Sequence, residues 1–131
     1  MNRLLGPYQE LIYAVMRFVA GFLLSFHGFQ KVFGAFGHGP FPLVSQIGVG
    51  GVIELFGGIL IAIGLFTSCA AFVASGTMAV AYFQFHQPGG LLPIVNDGEL
   101  AVVYCFTFLY IAAHGSGEWS VAALLKRRSL S

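Results

Sequence analysis

The stretch GVGGVIELFGGILIAIGLF, residues 48–66, decides the fold. Its length matches the roughly 20 apolar residues that a helix needs to cross a bilayer. Its one ionisable residue is Glu54, and in a helix the neighbours three and four positions away share its face. All four of those neighbours are glycines: Gly50, Gly51, Gly57 and Gly58. This pattern predicts a membrane span whose glycine-lined face packs closely against another helix and buries a carboxylate there.

The composition of the whole chain also indicates an integral membrane protein. Of the 131 residues, 57% are hydrophobic and 8% are charged, whereas soluble domains carry about 25% charged residues. The mean hydropathy is +0.84. A net charge of +1 gives no basis for nucleic-acid binding. We therefore expect the lipid bilayer, and no nucleic acid, as the surroundings of this chain.

Four apolar segments are predicted to form membrane-spanning helices, because backbone groups in lipid must be satisfied within the chain. Thr67 and Ser68 are predicted to form a tight turn, which makes the second and third helices antiparallel neighbours. The predicted fold class is therefore all-α, an integral membrane four-helix bundle forming one domain over residues 1–131. The predicted spans are residues 11–33, 48–66, 68–86 and 99–113.

The distribution of positive charge predicts the orientation of the chain. Arg3 precedes the first span and a basic group follows the last, residues 126–128, whereas the loop 87–99 carries Asp97 and Glu99 without Lys or Arg. Both termini are therefore expected on the cytoplasmic side. Lys31 lies at the outer end of the first span, and its positive charge there argues against this orientation. The tail, residues 116–128, is predicted to be an amphipathic interfacial helix, because it combines Trp119 and leucines with the basic group.

Ionisable groups from several segments are predicted to meet in the outer layer of the bundle. Glu54 lies about 9 Å below the outer end of its span, at about 1.5 Å per residue. Lys31 is its best partner by depth, with His27 second, and these two share a helix face. The predicted ligand-binding or proton-relay cluster contains six residues: His27, Lys31, Glu54, His86, Asn96 and Glu99.

Several of these residues also have a structural interpretation, and for them the sequence leaves the alternatives open. A Glu54–Lys31 pair either holds the bundle together or forms a ligand or proton site, as intramembrane charges often do. Glu99 would also favour the dipole at the start of the fourth span, with Asn96 or Asp97 as a cap. His86 is either an interfacial residue or a ligand.

Arg17 and Tyr82 are secondary candidates for the site. Arg17 lies closer to the cytoplasmic side, where its long side chain could equally reach the interface. Tyr82 belongs to a stripe with Met78 and His86 that is either core packing or an aromatic surface for a flat ligand such as a quinone headgroup.

Cofactor motifs are scarce in the sequence. His27 and His86 are the one histidine pair at comparable depth, and no C-x-x-C-H motif is present, so we disfavour haem and predict no metal site. The two cysteines, Cys69 and Cys105, are predicted to be buried free thiols. No flavin, nicotinamide or iron–sulfur motif is present, so any electrons must come from a partner.

Five segments together resemble the DoxX family of small four-span membrane proteins. The final W-S-x-D that the family often carries has Ala122 in its last position here, so a role of that acid is absent. The segments are RFVAGFLLSFHGFQKVFG (17–34), ELFGGILIAIGLFT (54–67), AYFQFH (81–86), NDGE (96–99) and GSGEWSV (115–121).

The resemblance implies a bundle in a bacterial inner membrane. One branch of the family is similar to the membrane subunit of thiosulfate:quinone oxidoreductase, and other members are membrane partners of redox enzymes. The resemblance thus implies a subunit of a larger redox complex, or a homo-oligomer, with quinone as the candidate cofactor. Two alternatives are an assembly subunit with no chemistry of its own and a small solute transporter, which would need an oligomer to enclose a pathway.

Overall fold

The computed structural model describes residues 3–131, which confirm the predicted all-α fold class. Helix α3 continues beyond its α-helical part through a π-helical turn, Tyr82–His86, and a 3-10 turn, Gln87–Gly89. The helices are α1 (Gln9–Phe33), α2 (Gln46–Ile63), α3 (Thr67–Ala81), the short α4 (Pro93–Asn96), α5 (Glu99–His114) and α6 (Val121–Ser129).

Within residues 3–131, three helical segments are long and apolar enough to cross a membrane: Gly6–Phe33, Gln46–Ile63 and Thr67–Gly89. Helix α5 is apolar but has only 16 residues. Many large apolar side chains are exposed on the outside of the bundle, Phe56 and Phe72 among them. A surface of this kind is suited to lipid, so the protein is a membrane protein.

The four long helices pack in sequence, with α1 mainly against α2, α2 against α3, and α3 against α5. Helices α1 and α5 touch only slightly, so the bundle is least tightly closed between them. The core contains Leu24, Ile61, Ala71, Phe108 and Ile111. We call the end with the loops 34–45 and 87–98 the loop end, and the end with the chain termini the terminal end.

Glycines bring the backbones of α1 and α2 together. A Cβ atom added to Gly28 would lie 2.6 Å from the Gly51 carbonyl oxygen, and one added to Gly21 would lie 2.6 Å from that of Gly58. No real Cβ contact is that short, so these four positions have no room for a side chain. The predicted close helix approach is therefore present, and it uses Gly51 and Gly58.

The other two glycines around Glu54 have different surroundings. A Cβ atom at Gly50 would meet nothing within 4 Å, because this residue faces a cavity. A Cβ atom at Gly57 would have only the Ala70 carbonyl oxygen nearby, at 3.9 Å. The glycine-lined face is therefore divided between a tight helix contact and open space.

The turn between α2 and α3 lies before the predicted position. Gly64 ends α2 in the left-handed conformation, with φ of +74°, and its N–H donates to the Leu60 and Ile61 carbonyls. Glycine adopts this conformation at low cost, which makes it a common helix terminator. Thr67 already begins α3, so the predicted turn at Thr67 and Ser68 is wrong.

The predicted amphipathic helix over residues 116–128 is also wrong at its start, because α6 begins at Val121. Gly115 and Gly117 have positive φ angles and form a turn that includes Trp119. The Ser120 hydroxyl then accepts a hydrogen bond from the Ala123 N–H and caps α6.

The prediction that both cysteines are buried is wrong for Cys69 and only partly correct for Cys105. Cys69 is exposed near the start of α3, where the helix turns one face outward. Cys105 is partly buried, and its Sγ lies 3.5 Å from the Ser75 hydroxyl.

Candidate functional site

A buried ion pair joins α1 and α2 near the loop end. Lys31 Nζ lies 2.6 Å from Oε1 and 2.8 Å from Oε2 of Glu54, so both carboxylate oxygens accept from one ammonium group. The Glu54 side chain is 3% exposed and that of Lys31 is 30% exposed. The ion pair predicted from depth alone is therefore confirmed.

Gly51 explains how Lys31 reaches its partner. A Cβ atom at Gly51 would lie 2.6 Å from the Lys31 Cβ, so the lysine stem crosses α2 directly over this glycine. Glu54 is three residues further along α2 and therefore presents its carboxylate on the same face. The glycine thus creates the passage through which the charges meet.

One side of the ion pair faces a cavity inside the bundle, which we call the central cavity. Its volume is about 230 Å³. It is lined by side chains of α1, α2, α3 and α5, with the α4–α5 loop at its open rim. Besides apolar groups, its lining contains six ionisable residues: His27, Lys31, Glu54, His86, Asp97 and Tyr104.

A second cavity, the peripheral cavity, lies between α1, α2 and α3 and has a volume of about 420 Å³. Its apolar lining includes Phe41, Ile47, Val80 and Phe85, and Gly50 leaves space in its wall. The Gln46 side-chain amide donates to the side-chain oxygen Oε1 of Gln84. Its polar lining consists of Gln30, Lys31, His38, Gln46, Glu54 and Thr77.

Lys31, Glu54 and Ala81 line both cavities. The ion pair is therefore part of the partition between a small space rich in ionisable groups and a larger, mostly apolar one. A ligand in either cavity can contact the same carboxylate and ammonium groups.

A third space, the seam groove, lies between α1 and α5, where the helices are least tightly packed. It shares His27, Leu100 and Tyr104 with the central cavity. The His27 and Tyr104 rings meet edge to face, with centroids 6.3 Å apart. These two rings separate the central cavity from the lipid-facing side of the bundle.

His86 reaches the central cavity from the π-helical turn at the end of α3. π-helical turns widen a helix locally and often occur at functional sites. The His86 Nδ1 lies 3.2 Å from the Asn96 carbonyl oxygen. Because a carbonyl can only accept, Nδ1 carries the hydrogen of this bond, and Nε2 is the nitrogen that can exchange a proton.

Asn96 and Tyr82 shape the loop instead of lining the cavities. Asn96 is buried, and its amide donates to the Gly90 carbonyl at 2.9 Å and to the Tyr82 hydroxyl at 3.2 Å. Its Oδ1 accepts from the Gly98 N–H at 2.9 Å, directly before α5. These contacts fix the loop that carries Asp97 to the rim of the central cavity.

Glu99 lies apart from the predicted cluster. It is exposed in the first turn of α5, where a carboxylate favours the helix dipole, and it lines neither cavity. The predicted depth in the membrane put Glu99 in the same layer as Glu54, but Glu99 lies on the outward face of α5. The structure therefore does not bring Glu99 together with the Lys31–Glu54 pair.

Arg17 holds the terminal end together. Its Nε donates to the Ile61 carbonyl at 3.0 Å, its NH2 to the Trp119 carbonyl at 2.8 Å, and its NH1 to the Ser116 carbonyl. The residue is only 3% exposed, so of the two alternatives left open by the sequence, extension to the interface is not the one observed. Instead of extending to headgroups, Arg17 ties the turn before α6 to the end of α2, far from the ion pair along α1.

Sequence reasoning missed several residues that line the cavities. Tyr104 stacks on Phe108 in the core of α5 and gave no signal beyond its aromatic character. Asp97 was visible as a loop acid, but its place at the cavity rim depends on a left-handed backbone conformation, with φ of +58°. Nothing in the sequence distinguishes the polar residues Gln30, His38 and Gln46, which line the peripheral cavity only in the folded structure.

Comparison with known proteins places the chain in a family. The family model described as DoxX matches residues 12–87, which is more than half of the chain. The chain belongs to the DoxX family. The match runs from within α1 through the π-helical turn and so includes His27, Lys31, Glu54 and His86. It ends before α5, so the DoxX match is shorter than the resemblance seen over residues 17–121.

One relative of this DoxX protein is a Haemophilus influenzae protein named "Uncharacterized protein". The two are 38% identical over 130 residues, covering 89% of this chain and 92% of the relative. No solved structure matches the chain.

Proposed function

We propose that this DoxX protein is a membrane subunit of a quinone-linked redox complex and binds a quinone headgroup in the peripheral cavity. The observation that carries the proposal is the buried Lys31–Glu54 pair in the wall of a mostly apolar cavity of about 420 Å³. Small-molecule sites typically have about 300–1,000 Å³ and a few polar groups in an apolar lining. The central cavity is below that range.

The ion pair has the chemistry to recognise a quinone. The Lys31 ammonium group can donate a hydrogen bond to a quinone oxygen, and the Glu54 carboxylate can accept one from a hydroquinone hydroxyl. Both oxidation states of the ring would then find a partner in the same pair. Glu54 is almost fully buried, and a hydrogen bond in such a low-dielectric environment is electrostatically stronger than one in bulk water.

The surroundings of the cavity also suit a lipid-soluble ligand. Val80 and Phe85 line the cavity and are also exposed on the outside of α3, at 49% and 56%. A headgroup beside the ion pair would therefore leave its apolar tail among the lipid chains.

The proposal requires a redox partner. Reduction of a quinone takes up two electrons and two protons, and the partner would supply the electrons through a flavin or an iron–sulfur centre. The proposed setting is a bacterial inner membrane, with four spans and both termini in the cytoplasm. The exposed apolar surface and the basic α6 support this setting.

The first test fills the peripheral cavity without touching the ion pair. Gly50→Phe adds a ring where a Cβ atom has no neighbour within 4 Å, and it is expected to weaken quinone binding about tenfold or more. Binding is measured by titrating quinone into protein in nanodiscs. Gly76→Phe is the matched control, because Gly76 also has open space but faces outward on α3. Unchanged binding in Gly50→Phe would refute the peripheral cavity as the site.

One observation favours a second candidate, the assembly subunit without chemistry. Lys31 Nζ contacts both oxygens of Glu54, so the pair is complete without a ligand. In that case the pair would serve only to hold α1 and α2 in register. Wild-type protein that binds no quinone, alone or in its native complex, would favour this second candidate.

A further inference from the structure

We propose that the central cavity holds water that carries protons between Glu54 and the aqueous phase at the loop end, entering past Asp97 and His86. The proposal rests on the proposed function in one respect: it supplies the protons that quinone reduction consumes. Whether the central cavity contains water can, however, be tested without quinone.

The lining of the central cavity favours water. A cavity holds ordered water when it is roomy and offers each molecule several polar partners. About 230 Å³ is far more than one water needs; most of the lining surface is apolar, but six of the eleven lining residues carry an ionisable group that can bond water. A purely apolar cavity of this size would stay dry.

The two cavities meet at Glu54, which gives the carboxylate a separate neighbour on each side. A quinone in the peripheral cavity would contact the pair from one side, and water in the central cavity from the other. In each transfer, an O–H bond of a hydronium ion breaks and one forms on the Glu54 carboxylate, which then passes the proton to a reduced quinone oxygen. Lys31 remains within hydrogen-bond distance of Glu54 in the structure.

The access route follows from the position of the rim residues. Asp97 is exposed in the loop before α5 and also lines the cavity, so it connects the cavity with the outside. His86 faces the same space, with Nδ1 held by the Asn96 carbonyl. His27, Lys31 and Tyr104 are the remaining titratable groups facing the water from α1 and α5.

Cysteine accessibility tests the proposal. In protein lacking Cys69 and Cys105, a reporter cysteine is placed in the cavity by Ala101→Cys and in the core by Ala74→Cys. Ala101 is 8% exposed and lines the cavity, whereas Ala74 is 0% exposed and packs in the core. A water-soluble methanethiosulfonate should modify the Ala101→Cys variant about tenfold faster or more. Equal rates would show that the cavity is dry and overturn the proposal.

The route is tested by the charge of the reagent. With the negative charge of Asp97 at the rim, a cationic methanethiosulfonate should modify the Ala101→Cys reporter faster than an anionic one does. Adding Asp97→Asn should lower this cation-to-anion rate ratio about threefold or more. Glu99→Gln is the control, because Glu99 is nearby in sequence but lines neither cavity. An unchanged ratio would place the opening elsewhere, with the seam groove next in line, and would overturn the route.

If the Ala101→Cys variant fails to fold, a second reporter cysteine takes its place. Met78→Cys also lines the central cavity and is compared with the same core control. If the central cavity proves dry, the quinone-binding test with Gly50→Phe can still succeed, because it concerns the peripheral cavity. Conversely, absence of quinone binding would leave the accessibility result intact, so the two failures can be told apart.

Discussion

Lys31→Met is expected to lower the free energy of unfolding by about 3 kcal/mol, because it leaves the buried Glu54 carboxylate without its counter-charge. The figure is at the low end for breaking buried pairs, since the Lys31 side chain is 30% exposed. Unfolding is measured by titration with SDS in mixed micelles. Lys126→Met is the matched control, with the same substitution at an exposed lysine on α6, and it should change stability little.

The double variant Lys31→Met/Glu54→Leu separates stability from binding. Replacing a buried ion pair with apolar residues of similar volume is often neutral or stabilising, so this variant should recover most of the stability lost in Lys31→Met. It should still fail to bind quinone, because both polar contacts are gone. A double variant that binds quinone normally would contradict the proposed role of the pair, and one as unstable as the single variant would contradict the buried-charge explanation.

Gly28→Ala is expected to destabilise the bundle by at least about 3 kcal/mol, the upper part of the range for overpacking. The added methyl group would lie 2.6 Å from the Gly51 carbonyl oxygen and would also overlap the Leu55 backbone nitrogen. Backbone atoms cannot turn aside as a flexible side chain can, so α1 and α2 would have to separate. The separation would also move Lys31 away from Glu54.

The control for this prediction is Gly57→Ala on the other side of α2. Its methyl group would have its nearest neighbour at 3.9 Å, so the substitution should be neutral or stabilise the helix by about 0.5–1 kcal/mol. Both variants are measured by the same SDS titration. A Gly28→Ala variant as stable as the wild type would show that α1 and α2 are not in close backbone contact.

The sequence predicted the helices and the central ion pair because both follow from one-dimensional patterns. Apolar length identified α1, α2, α3 and α5, and depth along two neighbouring helices matched Lys31 with Glu54. The glycines around Glu54 indicated that another helix comes close. Each of these arguments needs only the period of a helix and the cost of a charge in lipid.

Depth along a helix does not determine direction around it, and this is where prediction failed. Glu99 has the right depth but faces outward, and Arg17 points into the turn before α6 instead of extending to the interface. The start of α6 and the turn at Gly64 depend on left-handed glycines, whose local effect overrides helical periodicity. The peripheral cavity depends on the loop 34–45, which places His38 and Phe41 in its wall, and the central cavity on Asp97 in the loop before α5; no periodic pattern encodes how these loops fold.

The most direct test of quinone binding beside Lys31 and Glu54 is photolabelling with an azidoquinone, followed by peptide mapping. The label is predicted on the cavity wall, at peptides containing Gln30, Gln46 or Phe85. It should disappear with excess unlabelled quinone and in the Gly50→Phe variant. Label found mainly on α5 or α6, or undiminished in Gly50→Phe, would contradict the account.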